Sequence, residues 1–210
     1  MKRLALVLGP LVGLFLAGCQ TVAPKDYTAF RQSRPASILV LPPINASSDV
    51  RATYSVYTAM TRPISELGYY VFPLVVVDQM MKENGLTMPA DMHQAPPAKL
   101  REVFGADAAL YVTVQEYGSK YMLVVADTFV RARAVLVDLR TGTTLWEGSV
   151  YAQAGGQSGL LEALVTQVLN KLTDQAHMVA TVACYQLVTP PGPPGQGLLR
   201  GPRHPEYGKD

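Results

Sequence analysis

The spacing of apolar residues along the chain changes from a helical period to a strand period and back again. Before residue 105, short apolar runs alternate with segments such as Tyr57, Met60 and Ile64, in which apolar residues recur every three or four positions. From residue 109 onward, apolar and polar residues alternate, which is typical of strands with one buried face. After residue 158 the helical spacing returns. The pattern predicts strands near 38–42, 69–72, 109–117, 121–138 and 143–151, and helices near 52–67, 75–84, 97–104 and 158–182.

The order of these elements predicts how the strands pair. A strand, a helix and a second strand within about 35 residues are typical of a crossover with parallel strands. Later strands joined by hairpin signals, one with Gly142 in its turn, predict an antiparallel meander. Gly118–Lys120 indicates another turn, and Pro63 should kink the first long helix or split it near Thr61. The fold class is therefore α/β (α+β): a single domain whose mixed sheet has a βαβ start, an antiparallel meander and a long C-terminal helix.

The first residues have the pattern of a secretion signal. Lys2 and Arg3 precede an apolar run, 4–17, which is shorter than the ~20 residues that a membrane-spanning helix needs. The run ends in Leu16-Ala17-Gly18-Cys19, which resembles the bacterial lipoprotein box. This resemblance implies that the Cys19 thiol is acylated, with palmitate as the expected acyl group, and that Cys19 becomes the first mature residue. Acyl chains hold a protein on a membrane without any spanning segment.

Four segments follow from these patterns. Residues 1–18 are expected to be a lipoprotein signal peptide, and the polar residues 19–36 a lipidated tether. The α/β domain should occupy 37–188. A tail rich in proline and glycine, 189–210, cannot join a helix or a central strand.

The charge of the chain argues against nucleic acid as a partner. The whole sequence has 18 Lys and Arg against 16 Asp and Glu, and two of the basic residues lie in the leader. Nucleic-acid-binding proteins concentrate basic residues on one face, and no such run is present. Hydrophobic residues make up 49% and charged residues only 16% of the sequence, which predicts a compact core and some apolar surface for a partner.

The sequence contains no recognisable catalytic, cofactor-binding or metal-binding pattern, so we expect a protein that is not an enzyme. Its three histidines are far apart and lack neighbouring ligands at metal spacing. If Cys19 is lipidated, Cys184 has no intrachain partner and is best interpreted as a small buried residue, with a reactive thiol or an intermolecular disulfide left open. Ser158 lacks the second glycine of a nucleophile elbow, because residue 160 is leucine. A hydrolase that uses Ser158 or Cys184 is the least favoured alternative.

Two arginines and a group of tyrosines are the candidates for binding. Arg131 and Arg133 point the same way from one predicted strand, which favours an ordinary solvent-exposed face over an anion-binding patch. The chain has eleven tyrosines, a residue type that is enriched at protein interfaces. Core packing remains an equal alternative for them. The candidate interaction surface comprises Tyr54, Tyr57, Tyr69, Tyr70, Tyr117 and Tyr121.

A family resemblance is carried by stretches that span nearly the whole mature chain in order. They are Ile38–Asn45, Pro63–Pro73, Asn84–Thr87, Phe104–Ala108, Asp138–Gly142 with Leu145-Trp146, and Gly201–Pro205. Together they resemble a family of bacterial outer-membrane lipoproteins that is catalogued as a domain of unknown function. The resemblance implies a fold similar to the N-terminal domain of the Tol-system translocation protein and to the periplasmic part of the curli secretion channel. It also implies a gene beside a lipoprotein similar to that channel, and supplies no catalytic residues.

These observations predict a lipid-anchored, non-enzymatic component of an envelope secretion or biogenesis complex. Gln20 departs from the aspartate that, by resemblance to sorting rules in enteric bacteria, retains lipoproteins at the inner membrane. We therefore expect the outer membrane, with the domain facing the periplasm. Expected partners are other envelope lipoproteins, a curli-channel-like one among them, or copies of this chain. The alternative is a periplasmic binder of small ligands or peptidoglycan fragments, with its cleft near Pro42-Pro43 and Pro73.

Overall fold

A computed structural model describes residues 24–122, 125–154, 175–191 and 195–210. The predicted signal peptide, 1–18, and Cys19 lie outside these described residues. The strands are β1 Ser37–Val40, β2 Ile44–Asn45, β3 Tyr70–Val71, β4 Ala108–Met122, β5 Val125–Asp138 and β6 Thr144–Ala154. The helices are α1 Thr28–Ser33, α2 Ala52–Glu66, α3 Leu74–Glu83, α4 Pro89–Met92, α5 Pro97–Phe104 and α6 Gln175–Val188.

The strands form one mixed sheet in the order β3-β1-β4-β5-β6, with β2 paired to β4. β1 is parallel to both β3 and β4, with Ile38 opposite Val71 on one side and Ala108 on the other. β4, β5 and β6 are antiparallel neighbours. The predicted crossover and meander are therefore both confirmed. The chain forms a single α+β domain.

Helices cover the sheet unequally. On one face, α2 and α6 pack on the main core, which includes Ile38 and Val40. On the other face, α3, α4 and α5 cover only the region of β1 and the start of β4, around Leu39 and Leu41. The rest of that second face is open to solvent, which is why its strands alternate so clearly in sequence.

The open face carries paired charges. Arg131 and Arg133 are exposed, as the alternation predicts, and each lies beside a carboxylate. Arg131 Nε is 3.1 Å from a Glu116 oxygen, and Arg133 Nη2 is 2.6 Å from a Glu147 oxygen. These pairs neutralise the two guanidinium groups, so this face is not a bare anion-binding patch.

The predicted turn at Gly118–Lys120 and the predicted split of α2 are both wrong, while a kink of α2 at Pro63 stays a prediction. Gly118–Lys120 is not a turn, because the pairing of β4 with β5 continues from Tyr117 opposite Val130 to Met122 opposite Val125. Helix α2 is not split at Pro63, because this proline lies in the last turn, where only one backbone hydrogen bond is lost. Helix α6 extends past the predicted end at 182, while residues 158–174 of that prediction lie outside the described chain.

The ends of the domain differ from the predicted boundaries. The segment predicted to be a tether contains α1, and Tyr27 and Phe30 are buried in the main core. The two side chains are three residues apart on the same side of a helical turn, so they pack into the core together. The folded domain therefore begins before residue 37. The C-terminal segment, residues 195–210, also packs on the domain: Gly201 N–H donates to Leu67 O at 2.7 Å. In the described part of the chain, no helix is both long and apolar enough to cross a membrane.

Candidate functional site

Cys184 has the environment of a structural residue. It is buried on α6, and its Sγ lies 3.9 Å from the carbonyl oxygen of Val56. Burial raises the pKa of the thiol to about 12, so the nucleophilic thiolate is scarce at neutral pH. The interpretation of Cys184 as a small buried residue is confirmed. Ser158, the other candidate nucleophile, lies outside the described residues.

The histidines are held by separate contacts. His93 Nε2 lies 3.0 Å from Pro42 O, its ring meets Tyr111 edge-on, and burial lowers its pKa. His177 Nδ1 lies 2.9 Å from Ser55 Oγ. Among the residues that the structure describes, no group of three or more His, Cys, Asp or Glu side chains could hold a metal ion.

A hydrogen-bonded chain of three side chains joins α2, β4 and α6. The Tyr117 hydroxyl donates to Ser55 Oγ at 2.7 Å, which leaves the Ser55 proton free to reach His177 Nδ1. Sequence reasoning missed this contact because the three residues are about sixty positions apart and follow no motif. It fixes the starts of α2 and α6 against the sheet.

The cleft expected at the carboxyl end of β1 is closed. Pro42 and Pro43 are buried, and His93 of the α4 segment covers the Pro42 carbonyl. A hollow of about 630 Å³ opens instead between α3, α4 and α5. Its lining is mostly apolar and includes Met80, Met81, Leu86, Leu100, Val103 and Phe104.

Three of the six candidate tyrosines belong to the core, so their assignment to an interaction surface is wrong. Tyr57 donates to backbone carbonyls inside the fold, with Val40 O and Leu74 O both 3.2 Å from its hydroxyl. Tyr69 donates to Leu199 O at 2.6 Å, and Tyr117 donates to Ser55. Each ring is buried because its hydroxyl finds an acceptor within the protein.

The other tyrosines divide into two exposed residues and one outside the described side chains. Tyr54 is 50% exposed, and Lys82 Nζ donates to its hydroxyl at 2.9 Å. Tyr70, on the edge strand β3, is exposed beneath the guanidinium of Arg203, 5.4 Å from its ring centre. The side chain of Tyr121 lies outside the described part. Tyr54 and Tyr70 therefore remain as candidates for binding.

The N-terminal segment defines one end of the molecule, which we call the N-terminal pole: residues 24–27, 195–201 and Leu67. Lys25 N–H donates to Gly195 O at 3.1 Å, and Tyr27 OH donates to Gly197 O. A separate hollow at this pole is lined by Pro24, Lys25 and Leu67, which follows α2 directly. The first described residues are thus fixed to the C-terminal segment and to the end of α2.

The other end, which we call the opposite pole, contains residues 49–55, 175–178 and the end of the β4–β5 pairing, as far as Met122 opposite Val125. Because α2 has 15 residues, its start lies about 22 Å from the N-terminal pole. Within the described residues, the pairing of β5 with β6 ends at Thr128 opposite Ala154, and the pairing of β4 with β5 continues as far as Met122 opposite Val125. Among the described side chains of this pole, the exposed apolar ones are Val50 (86%), Tyr54 (50%) and Met178 (51%).

Comparisons with known proteins place the chain among bacterial lipoproteins. The sequence profile of the GNA1162-like lipoproteins matches residues 25–203. The lipoprotein NMB1124/NMB1162 of Neisseria meningitidis serogroup B is 47% identical, over 96% of this chain and 97% of that protein. The crystal structure of lipoprotein GNA1162 from Neisseria meningitidis, also 47% identical, aligns with a TM-score of 0.56 over 67% of this chain and all of that one.

A more distant likeness is to PelC from Paraburkholderia phytofirmans, which forms a dodecamer. It is 16% identical, with a TM-score of 0.49 over 78% of this chain and 89% of PelC. At this similarity, the PelC assembly gives no information about the assembly of the present chain.

Proposed function

Because the chain belongs to the GNA1162-like lipoprotein family, and hence to membrane-anchored envelope proteins, we propose that it is an outer-membrane lipoprotein that binds envelope partners through its opposite pole. Residues 1–18 serve as the signal peptide, Cys19 carries the acyl chains, and the domain faces the periplasm. Gln20 in place of aspartate supports sorting to the outer membrane. The protein acts by binding rather than by catalysis.

The observation that carries this proposal is the separation of the two poles. Cys19 precedes Pro24 by five residues, which span at most about 18 Å when fully extended. An anchor at Cys19 therefore keeps the N-terminal pole close to the membrane. The opposite pole, about 22 Å further along α2, is left free to meet a partner.

The side chains of the opposite pole suit a protein partner. Tyr54 offers an exposed ring held in place by Lys82, so little conformational entropy is lost when a partner covers it. Val50 and Met178 add exposed apolar area. Aromatic residues and methionine are enriched at the centres of protein interfaces. The family resemblance favours another envelope lipoprotein, similar to the curli channel, as the partner, with a second copy of this chain as the other option.

Crosslinking in living cells tests this proposal when it is combined with substitutions at the opposite pole. Wild-type protein is crosslinked, extracted with detergent and analysed by mass spectrometry beside a Tyr54→Glu, Met178→Glu double variant. Tyr151→Glu is the matched control, because Tyr151 is similarly exposed but lies beside Arg131 on the open face of the sheet, which α2 and α6 do not cover. We expect the double variant to lose the crosslinked partner and the control to keep it. Equal recovery from all three proteins would contradict the proposal.

A ligand-binding role is the second candidate, and the hollow between α3, α4 and α5 is the observation that favours it. Its volume of about 630 Å³ lies within the range of small-molecule sites. Its apolar lining suits an apolar ligand better than a peptidoglycan fragment. Thermal unfolding in the presence of a panel of glycans, peptides and fatty acids tests this role. A rise in Tm with fatty acids alone would support an apolar ligand. No rise with any compound would exclude the compounds of this panel as ligands.

A further inference from the structure

Another pocket, of about 400 Å³, lies at the N-terminal pole between α1 and the C-terminal segment. Its floor is apolar and is formed by the buried side chains of Phe30, Tyr69 and Leu199. Three arginines line it: Arg31, Arg34 and Arg200. An apolar floor beneath several cations is suited to an amphiphile with a negatively charged head.

The pocket already holds an acidic residue of the same chain. Asp210 Oδ2 accepts a hydrogen bond from the backbone N–H of Arg200 at 2.6 Å. Arg31 Nη2 donates to the backbone oxygen of Asp210 at 3.1 Å. Arg200 Nη2 also lies 3.1 Å from a carboxylate oxygen of Glu206. Two carboxylates therefore stand against three guanidinium groups, which leaves one cationic charge for a further anion.

The backbone at Arg34 indicates that its side chain has a use. Arg34 has a φ of 47°, and it is the only non-glycine residue with positive φ in the described part of the chain. It ends α1 in the left-handed conformation, where glycine or asparagine is usual. Its Nε donates to Arg31 O at 3.3 Å, which holds the guanidinium beside the pocket. A costly backbone conformation retained beside a pocket is a reason to look for a function there.

We propose that this pocket binds the phosphate of an anionic phospholipid headgroup. Guanidinium groups recognise phosphate through paired, charge-assisted hydrogen bonds, and the apolar floor would accept the adjoining glycerol and first methylenes. The choice of a lipid over a soluble anion rests on the proposed anchor at Cys19, which brings the N-terminal pole to the membrane surface. Asp210 must move aside, so it competes with the headgroup for Arg31 Nη2 and for the backbone N–H of Arg200.

Calorimetric titration of the whole protein in a neutral detergent tests this site. The probes are dihexanoyl phosphatidylglycerol, dihexanoyl phosphatidylcholine and inorganic phosphate. We expect phosphatidylglycerol to bind most tightly. Arg34→Gln should weaken its binding about fivefold or more, because one charged hydrogen-bond donor is lost. Arg62→Gln is the matched control, because Arg62 is an exposed arginine of α2 that does not line the pocket.

A variant that is expected to gain affinity distinguishes a loss of binding contacts from misfolding of the variants. Asp210→Asn removes the competing carboxylate and should strengthen phosphatidylglycerol binding severalfold, a result that an unfolded protein cannot give. The site assignment is overturned if Arg34→Gln binds like Arg62→Gln, or if both lipids bind equally. Phosphate that binds as tightly as phosphatidylglycerol would overturn the lipid assignment. The titration needs neither a bilayer nor a protein partner, so its failure leaves the role proposed for the opposite pole standing.

Discussion

Two glycines have the same backbone conformation but different surroundings, so a comparison of them distinguishes the effect of a close contact from that of backbone strain. Gly68 and Gly85 have φ values of 88° and 84°. A Cβ atom on Gly68 would lie 2.3 Å from the His204 backbone nitrogen, whereas one on Gly85 would meet nothing within 4 Å. Gly68 therefore allows the C-terminal motif to approach the corner between α2 and β3, where Arg203 N–H donates to Gly68 O.

Substitution of Gly68 should detach this contact. We expect Gly85→Ala to lower the free energy of unfolding by about 1 kcal/mol through strain alone. Gly68→Ala should cost about 1–3 kcal/mol more, because the added methyl group overlaps backbone atoms. Urea denaturation of both variants measures the difference. Equal losses would show that the approach of His204 contributes nothing to stability.

Cys184 should be chemically inert in the folded protein. With its pKa raised to about 12 and its side chain buried, it should react with a thiol reagent at pH 8 only after unfolding. The rate of labelling with and without urea is the measurement. Rapid labelling of the native protein would contradict the structure and would reopen a catalytic role for this residue.

For single residues, the sequence predicted burial from the residue type more successfully than it predicted hydrogen-bond partners. The burial of Cys184 followed from its type and its lack of a pairing partner. The tyrosines could not be sorted in the same way, because the acceptors of Tyr69 and Tyr117 lie 130 and 62 residues away along the chain. A hydroxyl with a distant acceptor and one facing solvent look identical in sequence.

Among the elements, the turn after β5 ties the sheet to α1 through Asp138. Ser33 Oγ of α1 donates to Asp138 Oδ2, and the backbone N–H of Arg140 donates to Asp138 Oδ1 at 2.7 Å. Burial alone would raise the pKa of Asp138, but the hydrogen bonds from Arg140, Ser33 and the backbone hold it at about 2. The carboxylate therefore stabilises the fold only while it is ionised.

This arrangement predicts a loss of stability in acid. Because the pKa of Asp138 is lower in the folded protein than in the unfolded chain, its contribution is full above pH 4 and is lost as the pH falls towards 2. The loss should be about 2 kcal/mol. Asp138→Asn should remove this part of the pH dependence, and Asp91→Asn, an exposed residue of α4, should not. Urea unfolding at several pH values measures it; an unchanged pH dependence in Asp138→Asn would contradict the assignment.

Long periodic elements were predictable, and short or interrupted ones were not. The alternation of apolar and polar residues around Arg131 correctly predicted β5 and its solvent-exposed face. Helix α1 was missed because it is only six residues long, and its burial depends on contacts with the distant C-terminal segment. Gly118 suggested a turn because glycine is common there, yet cross-strand pairing carries β4 through it.

In the molecule as a whole, the separation of the two poles links the position of the N-terminal residues to the proposed binding role of the opposite pole. The described chain begins at Pro24 in the N-terminal pole, and α2 and α6 both run between this pole and the opposite one. The sequence supplied the anchor motif and the exposed residue types. Only the fold shows that Tyr54 and Met178 lie at the end remote from Pro24 and Lys25, because their neighbourhood is built from distant segments.

The most direct test of this account is the distance of each pole from the bilayer. Single cysteines placed by Tyr54→Cys and Thr189→Cys are labelled with a donor dye, Cys184 being buried, and the acylated protein is reconstituted with acceptor-labelled headgroups. We expect much stronger energy transfer from position 189, since the helices place position 54 about 20 Å further away. Equal transfer, or stronger transfer from position 54, would contradict an anchored N-terminal pole and a free opposite pole.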